Sequence, residues 1–593
     1  MIKTISRSRN TTIYKKLLAE NYPALVAHIV SSRINEAQSD TNIHKIISPT
    51  LSGLFPPALL ADVPCAADRI VSAIRHEETI GLVSDYDCDG ITSHAILYES
   101  LTKIFGVPPD RIQSYIGSRI SDGYGLSANI ASRILQTAPA RPNLIITSDC
   151  GTTDEINIAS LKNAGIDVIV TDHQMLPNDG IPSSAYAVVN PQRDDCQYPD
   201  KSIAGVTVSW LLMCQVRRCL IDAGLIGDSL TMSYLLDFVA VGTVADSVSL
   251  LSPTNRAIVN AGLVKMNASN RPCWLALRSL LSKNDNGFTS QDLAFQIAPR
   301  ISDRGRISDA GAAFQYLMAG NLTDAENGLK QLDDDNRRRK EIEKQMMEIA
   351  SSFIDSHVTP EIPAIVIGHN KFHDGVQGIV ASRLVEKYAR PVIVLSPKLG
   401  DGEKLVGSAR GVEGVDLYKA LRDIPSSNPR ILEAFGGHKE AAGMTLSRAM
   451  VPELRLAFSK AVQSQVGDKR FSDRIFYIDG DFDELPDDAL QQIKSLEPYG
   501  TGFEEPLFSG HFKVLSAKTM DAEGLPLSMV LKSQKGKEVH GTWFRAKNSY
   551  RDPALIGEGG EIDCVFSLSE DVLRVDGSGQ INLKEASYAD KNH

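Results

Sequence analysis

The sequence lacks what several protein classes require. Its eight cysteines, Cys65, Cys88, Cys150, Cys196, Cys214, Cys219, Cys273 and Cys564, are scattered and form no CxxC pair. That argues against a zinc module or a disulfide framework and fits a reducing cytoplasm. No apolar run approaches the roughly 20 residues that span a bilayer. The basic start, MIKTISRSRNTTIYKK, has no apolar core and does not read as a secretory signal. No GxSxG nucleophile elbow and no GxxxxGK[ST] phosphate loop occurs. Internal repeats and low-complexity tracts are absent as well. The formal net charge of −11 argues against a protein that coats nucleic acid non-specifically, but it leaves room for a local basic channel.

What is present is 593 residues, 42% hydrophobic and 23% charged. That is too long for one core and ordinary for globular domains. Residues 1–75 read as a helical lead-in, in which Lys3, Arg7, Arg9, Lys15 and Lys16 form a basic face that is solvated or touches a phosphate backbone. From Ile80 the pattern becomes strand, loop, helix. The apolar runs IGLVS (Ile80–Ser84), LIITS (Leu144–Ser148), VIVT (168–171) and AVVN (187–190) alternate with helical spacing, as at Leu97, Leu101 and Ile104. Continuous apolar strands between helices predict a parallel sheet covered on both faces, over residues 76–324. Residues 325–359 read as a connector helix, with Ile342, Met346, Ile349 and Phe353 at helical spacing. A second α/β unit follows over 360–465, with strands at 364–368 and 392–395 and a helix at 378–388. Residues 466–593 show short alternating segments between turns, the mark of a small β-barrel.

Chemistry is concentrated at the strand ends. The first run leads into Asp85-Tyr86-Asp87-Cys88-Asp89-Gly90, the second into Asp149 and the third into Asp172-His173. A later helix-like stretch adds Asp246, with Asp237 as a further candidate. Ligands of open parallel sheets bind beyond the carboxyl ends of the strands, so these residues are expected to converge there. Crowded carboxylates resist ionisation unless a cation neutralises them, and oxygen donors with one imidazole suit Mg2+ or Mn2+. Asp87, Asp89, Asp149, His173 and Asp246 have the composition of a site for two ions that hydrolyses a phosphate ester. A single Asp at any of these places would read as a cap or turn residue.

Further motifs suggest phosphate contacts. Gly407-Ser408-Ala409-Arg410-Gly411 and Phe435-Gly436-Gly437-His438 combine glycines, which let backbone approach an anion, with Ser and Arg donors. Read alone, such small residues pack turns. Arg119 in SRISDGYGLS, and Arg300, Arg304 and Arg306 in APRISDRGRIS, offer cations or simply a solvated face. Trp543, Phe544 and Arg545 form an aromatic and cationic patch suited to stacking bases, although at least one ring must face the barrel core.

Taken in order, DYDCDG, SDCG, TDHQ and GTVADS resemble the DHH phosphoesterase superfamily. SRISDGYGLS, VVNPQRDDCQYP, SIAGVTVSWLL, APRISDRGR, FHDGVQGIVASRL, GSARG, FGGHKEAAGM and EPYGTGFEEPLF narrow the resemblance to the RecJ family of single-strand-specific 5′→3′ exonucleases, over residues 50–590. The resemblance implies an α/β fold. A DHH domain with a parallel sheet and a DHH-associated domain would be joined by a long helix around a groove, followed by an OB-fold. It implies Mn2+ or Mg2+, two ions, held by Asp87, Asp89, Asp149, His173 and Asp246, with Asp85 nearby. Asp172, His173 and Gln174 occupy the signature positions. Ser408 and Arg410, with Arg119 and Arg300, would contact the 5′ phosphate, and His438 would face the scissile bond.

The sequence departs from the family pattern at Gln174, where a second His is usual; Gln can donate a hydrogen bond but carries no charge. Asp303 and Arg304 stand where small residues are usual, and FHDG replaces a Trp-led version. The expected activity is release of 5′-mononucleotides from single-stranded DNA in recombination and repair. The expected protein is a cytoplasmic monomer with no membrane partner, cooperating with a helicase and a single-strand-binding protein. The alternatives are a phosphodiesterase for short oligonucleotides or cyclic dinucleotides, and a catalytically silent single-strand-binding scaffold.

Overall fold

The computed structural model describes residues 3–34, 43–118, 122–136, 141–177, 179–283, 287–307, 310–359, 361–398, 401–427, 430–467, 475–519, 527–544, 558–570 and 579–588. Two compact units emerge. One comprises Arg33–Arg337 with Lys494–Glu505, the other Met1–Ser32, Arg338–Ile493 and Pro506–His593. No helix among the described residues is long and apolar enough to cross a membrane.

The first unit is built on a five-stranded parallel sheet. Its strand order is Ile112–Ile116, Ile80–Ser84, Leu144–Ser148, Asp167–Thr171 and Ala187–Val189. The strands Ile80–Ser84 and Leu144–Ser148 are buried over their whole length, which is why their sequences are apolar without alternation. One face carries Leu82, Ile146 and Ile169 against Val206, Trp210 and Leu211. The other carries Val83, Ile145 and Val170 against Ile130, Ile134 and Ile158. The sheet has one strand more than the sequence pattern suggests. Ile112–Ile116 (IQSYI) lies at the edge with only Ile112 and Tyr115 buried, so it offers no continuous apolar run.

Residues 1–75 are not one helical lead-in. Lys3–Ser6 is a strand paired in parallel with Ile475–Ile478, inside the second unit. The helix Val63–Arg75 buries Val63, Ala66, Ala67, Ile70 and Ala73, a stripe at helical spacing, in the core of the first unit. Of the basic residues in this stretch, Arg7 lies near Asp479 and over the Tyr477 ring, and Arg9 stacks on Tyr14.

The long helix runs over Leu322–His357. The second unit then forms a mixed five-stranded sheet in the order Ala434–Gly437, Ala441–Ser447, Asp401–Arg410, Val392–Lys398 and Ile365–Gly368. Both glycine motifs therefore lie on or beside antiparallel strands rather than in loops. In the same unit, Phe508–Thr519, Leu527–Ser533, Glu538–Trp543, Gly579–Tyr588 and Glu561–Glu570 pair in succession, and the last closes on the first. This five-stranded barrel is filled by Phe508, Phe512, Phe566 and Trp543. Trp543 is 1% exposed and its neighbour Phe544 is 62% exposed, as alternation along a strand leaving the barrel requires. Arg545 lies outside the described residues.

Candidate metal centre and phosphate-binding surface

Strand ends bring the acidic residues together. Asp89, His173 and Asp246 present ligand atoms within 4.8 Å of one another, and so do Asp85, Asp87 and Asp149. The imidazole Nε2 of His173 lies 3.2 Å from Asp149 Oδ1, 3.6 Å from Asp246 Oδ2 and 3.8 Å from Asp89 Oδ2, so Asp149 links the two groups.

Backbone amides hold two of the ligands, Asp87 and Asp89. Asp87 caps the helix Cys88–Glu99 by accepting from the Gly90 amide at 3.0 Å. Asp89 accepts from the Gly205 and Val206 amides at 2.8 and 2.9 Å, at the start of the 18-residue helix Gly205–Asp222. Asp149 has φ of 59°, the left-handed region that a non-glycine residue adopts only where its surroundings compel it. Asp246 ends the helix Leu236–Ala245.

The electrostatics call for a cation. Burial, then repulsion from Asp89 and Asp87, holds the Asp149 carboxyl well above its ordinary range. Burial likewise raises Asp89 to about 6 and Asp246 to about 8, with neighbouring carboxylates adding to the shift and His173 opposing it. Burial works against protonation of His173, yet Asp246 and Asp89 raise its pKa overall. A donor set of oxygens and one imidazole, uneasy as anions until positive charge is added, fits Mn2+ or Mg2+.

Residues 79–243 match the family model described as DHH family, N-terminal domain; residues 361–467 match the DHHA1 domain, and residues 478–585 the RecJ OB domain. The single-stranded-DNA-specific exonuclease RecJ of Haemophilus influenzae is 33% identical over 521 residues, 86% of this chain and 88% of that protein. The chain belongs to the RecJ family. The RecJ of Escherichia coli is 31% identical over 578 residues, 95% of this chain and 96% of that protein. The crystal structure of RecJ in complex with Mn2+ from Thermus thermophilus superposes with a TM-score of 0.75 at 25% identity, covering 99% of this chain and 79% of that one.

Within this RecJ-family chain the predicted residues take distinct places. Asp172 stands apart from both ligand groups. Its carboxylate accepts from the amides of Thr152 (3.0 Å), His173 (2.7 Å) and Gln174 (3.1 Å), so it shapes the loop that carries the imidazole. The exposed Gln174 donates its side-chain amide to the Tyr124 hydroxyl, which in turn donates to the Asp149 carbonyl at 3.2 Å. Asp237 is not a ligand. It stands at the opposite end of its helix from Asp246 and is bound by Arg271 and Trp274 at 2.8 Å each. Arg300 is buried and ion-paired with Asp333 at 2.8 Å, and Arg304 pairs with Asp335. Arg306 stands on the helix Ala298–Ile307, its side chain outside the described set. Arg119 lies outside the described residues.

In the second unit, Ser408 and Arg410 form one surface with the start of the helix Gln377–Tyr388. Arg410 Nη1 donates to Ser408 Oγ at 2.9 Å. A side chain at Gly378 would lie 3.0 Å from Arg410 Nη2 and 3.2 Å from Ser408 Oγ. Ser408 pairs across the strands with Gly443, and Gly443 with Gly436, so bare backbone flanks these donors. Gly437 has φ of 142° and turns the chain, placing His438 in an exposed hairpin closed by its amide on the Ala441 carbonyl at 2.7 Å.

Sequence reading missed Gly205, Gly242 and Tyr124 as parts of the centre. A Cβ at Gly205 would lie 2.6 Å from Asp149 Oδ1, and one at Gly242 would lie 2.9 Å from Asp89 Oδ1. The available signal for the glycines was a glycine opening, or lying within, an otherwise apolar helix, in SIAGVTVSWLL and GTVADS.

Proposed function

We propose that the chain is a metal-dependent exonuclease of single-stranded DNA, acting from the 5′ end and releasing 5′-mononucleotides in recombination and repair. The observation that carries this reading is the pair of ligand groups at the carboxyl edge of the parallel sheet, in a chain of the RecJ family. The RecJ of Thermus thermophilus has been crystallised in complex with Mn2+, which supports Mn2+ or Mg2+ here.

Asp85, Asp87 and Asp149 would hold one ion, and Asp89, His173 and Asp246 a second. When bound, the ions supply positive charge to the phosphodiester oxygens and make a water acidic enough to attack at neutral pH. The residues around them do the rest. Asp172 fixes the loop that aims His173. The helix amides at Gly205 and Val206 hold Asp89 in place. Gln174, through Tyr124, braces the backbone of Asp149 with a neutral donor where the family usually has a second imidazole. In the second unit Ser408, Arg410 and the bare backbone of Gly436, Gly437 and Gly443 suit the terminal phosphate, and His438 suits the neighbouring bond. The barrel's exposed Phe544 suits a base. The protein would act as a cytoplasmic monomer, on strands opened by a helicase and shared with a single-strand-binding protein.

The test uses long single-stranded DNA labelled at either end, with Mn2+ or Mg2+, and an Asp149→Ala variant beside wild type. Mononucleotides appearing from the 5′ end, and lost in the variant, are the expected result. Cleavage confined to oligonucleotides of a few residues would overturn the substrate assignment. Binding without cleavage by wild type would overturn the catalytic one.

A further inference from the structure

The two helices that end at the metal centre are tied together at their other ends. Asp89 is the second residue of Cys88–Glu99, and Glu99 is the last. Asp237 is the second residue of Leu236–Ala245, and Asp246 follows the last. At a rise of about 1.5 Å per residue the two spans are nearly equal, roughly 15 Å and 14 Å. The helices run past each other in opposite directions, so that Asp89 meets Asp246 around His173 while Glu99 meets Asp237 around Arg271.

Arg271 bridges that far end. Its Nε lies 2.8 Å from Asp237 Oδ2, and its Nη1 lies 2.8 Å and 2.9 Å from the two oxygens of Glu99. The guanidinium lies over the rings of Tyr234 and Phe238, 4.2 Å and 4.4 Å from their centroids. Trp274 Nε1 donates to the same Asp237 oxygen at 2.8 Å, and Lys103 pairs with Glu99. Both carboxylates are buried, at 0% and 2% exposure. A planar fork with fixed donor directions sets the relation of two acceptors in a way that a flexible ammonium does not.

There is no slack at the near end. Gly242 faces Asp89 so closely that a methyl there would lie 2.9 Å from its Oδ1. Sliding one helix along the other would therefore change the spacing of Asp89 and Asp246 directly. We propose that Arg271 is a positioning residue for the metal centre: by holding Glu99 and Asp237 together it sets the register of the two helices, and with it the separation of Asp89 and Asp246. The inference rests on the metal-centre reading above, and a plain stabilising ion network would leave cation affinity untouched.

The experiment is a Mn2+ titration of the full chain, read by the spin-resonance signal of free Mn2+. It compares wild type with Arg271→Gln, Glu99→Gln, Arg271→Lys, Asp149→Ala and Arg69→Gln. Arg69 is a partly buried arginine that pairs with Glu78 and Asp167 and touches neither helix end. Arg271→Gln is expected to weaken Mn2+ binding by about fivefold or more, and Glu99→Gln by a smaller factor. Arg271→Lys should recover part of the loss, and Arg69→Gln should bind as wild type. If Arg271→Gln does not fold, Glu99→Gln carries the comparison. Wild-type affinity in the clamp variants would overturn the inference, and so would an equal loss in Arg69→Gln. If wild type fails to bind Mn2+, or Asp149→Ala binds as well as wild type, the metal-centre reading itself fails.

Discussion

Gly205 touches Asp149 where no side chain could. A Cβ at Gly205 would sit 2.6 Å from Asp149 Oδ1, while the Gly205 amide donates to Asp89 Oδ2 at 2.8 Å. The helix Gly205–Asp222 thus begins against two ligands at once, its positive end turned toward their charge and its first two amides donating to Asp89. Gly205→Ala is expected to displace Asp149, to cost roughly 1–3 kcal/mol of stability, and to lower nuclease activity at limiting Mn2+ far more than at saturating Mn2+. Thermal unfolding and a Mn2+ dependence of the rate check both parts. Equal activity at all Mn2+ concentrations would contradict the packing argument.

The raised carboxyls make the metal-free protein sensitive to pH. Asp89 titrates near 6 and Asp246 near 8 in the fold, against about 4 in an unfolded chain. As pH rises from about 4 to 8 the unfolded state sheds these protons first, so stability is lost. His173, also raised in the fold, acts in the same direction. His94, lowered to about 3 by burial, works the other way and costs stability only below about 6.5. Between about pH 6.5 and 8.5, the melting temperature of metal-free protein should therefore fall, and the gain on adding Mn2+ should grow. A pH-independent gain would show that these carboxyls are not the ones the cation neutralises.

Gln174 reaches the centre through Tyr124. Tyr124→Phe removes one donor to the Asp149 carbonyl and one acceptor for the Gln174 amide. The expected cost is about 1 kcal/mol, or roughly a fivefold loss in rate, because a typical hydrogen bond contributes on that scale. Gln174→His restores the usual family residue. It is expected to add a pH-dependent limb to the rate near neutrality that the wild type lacks. Steady-state rates across pH for the three proteins decide the matter.

Phe544 and Trp543 are adjacent and should behave oppositely. Phe544→Ala is expected to weaken binding of single-stranded DNA by roughly 1–3 kcal/mol, the range for a base stacked on an aromatic ring, with little change in melting temperature. Trp543→Ala empties the barrel core and should cost about 3–5 kcal/mol of stability. Fluorescence anisotropy with a labelled oligonucleotide and thermal unfolding separate the two. Unchanged affinity in Phe544→Ala would remove the barrel face from the binding path.

Much of the centre was legible in the sequence. Asp85, Asp87, Asp89, Asp149 and His173 follow short apolar runs, and parallel strands deliver whatever follows them to a single edge. Asp246 stands out in the sequence as an acid beside an apolar helical stretch, but a helix end announces no direction, so the stretch alone does not separate it from Asp237. Two acids nine residues apart on one helix look equivalent in sequence, but the helix is long enough to send Asp237 and Asp246 to opposite ends. The edge strand Ile112–Ile116 carries no such signal, because only Ile112 and Tyr115 are buried and its residues form no continuous apolar run. Arg300 pairs in the fold with Asp333, 33 residues away in sequence, a relation that no local pattern announces.

The sequence by itself determined the layering, through apolar periodicity, and the chemistry, through carboxylates crowded at strand ends. Both follow from local properties of the chain: backbone pairing that demands apolar runs, and charge density that demands a cation. Tertiary structure alone decided which acids face one another, which glycines make room for them, and that Arg271 joins Glu99 to Asp237. Those relations are distances between residues far apart in the chain, and they exist only once the helices are packed.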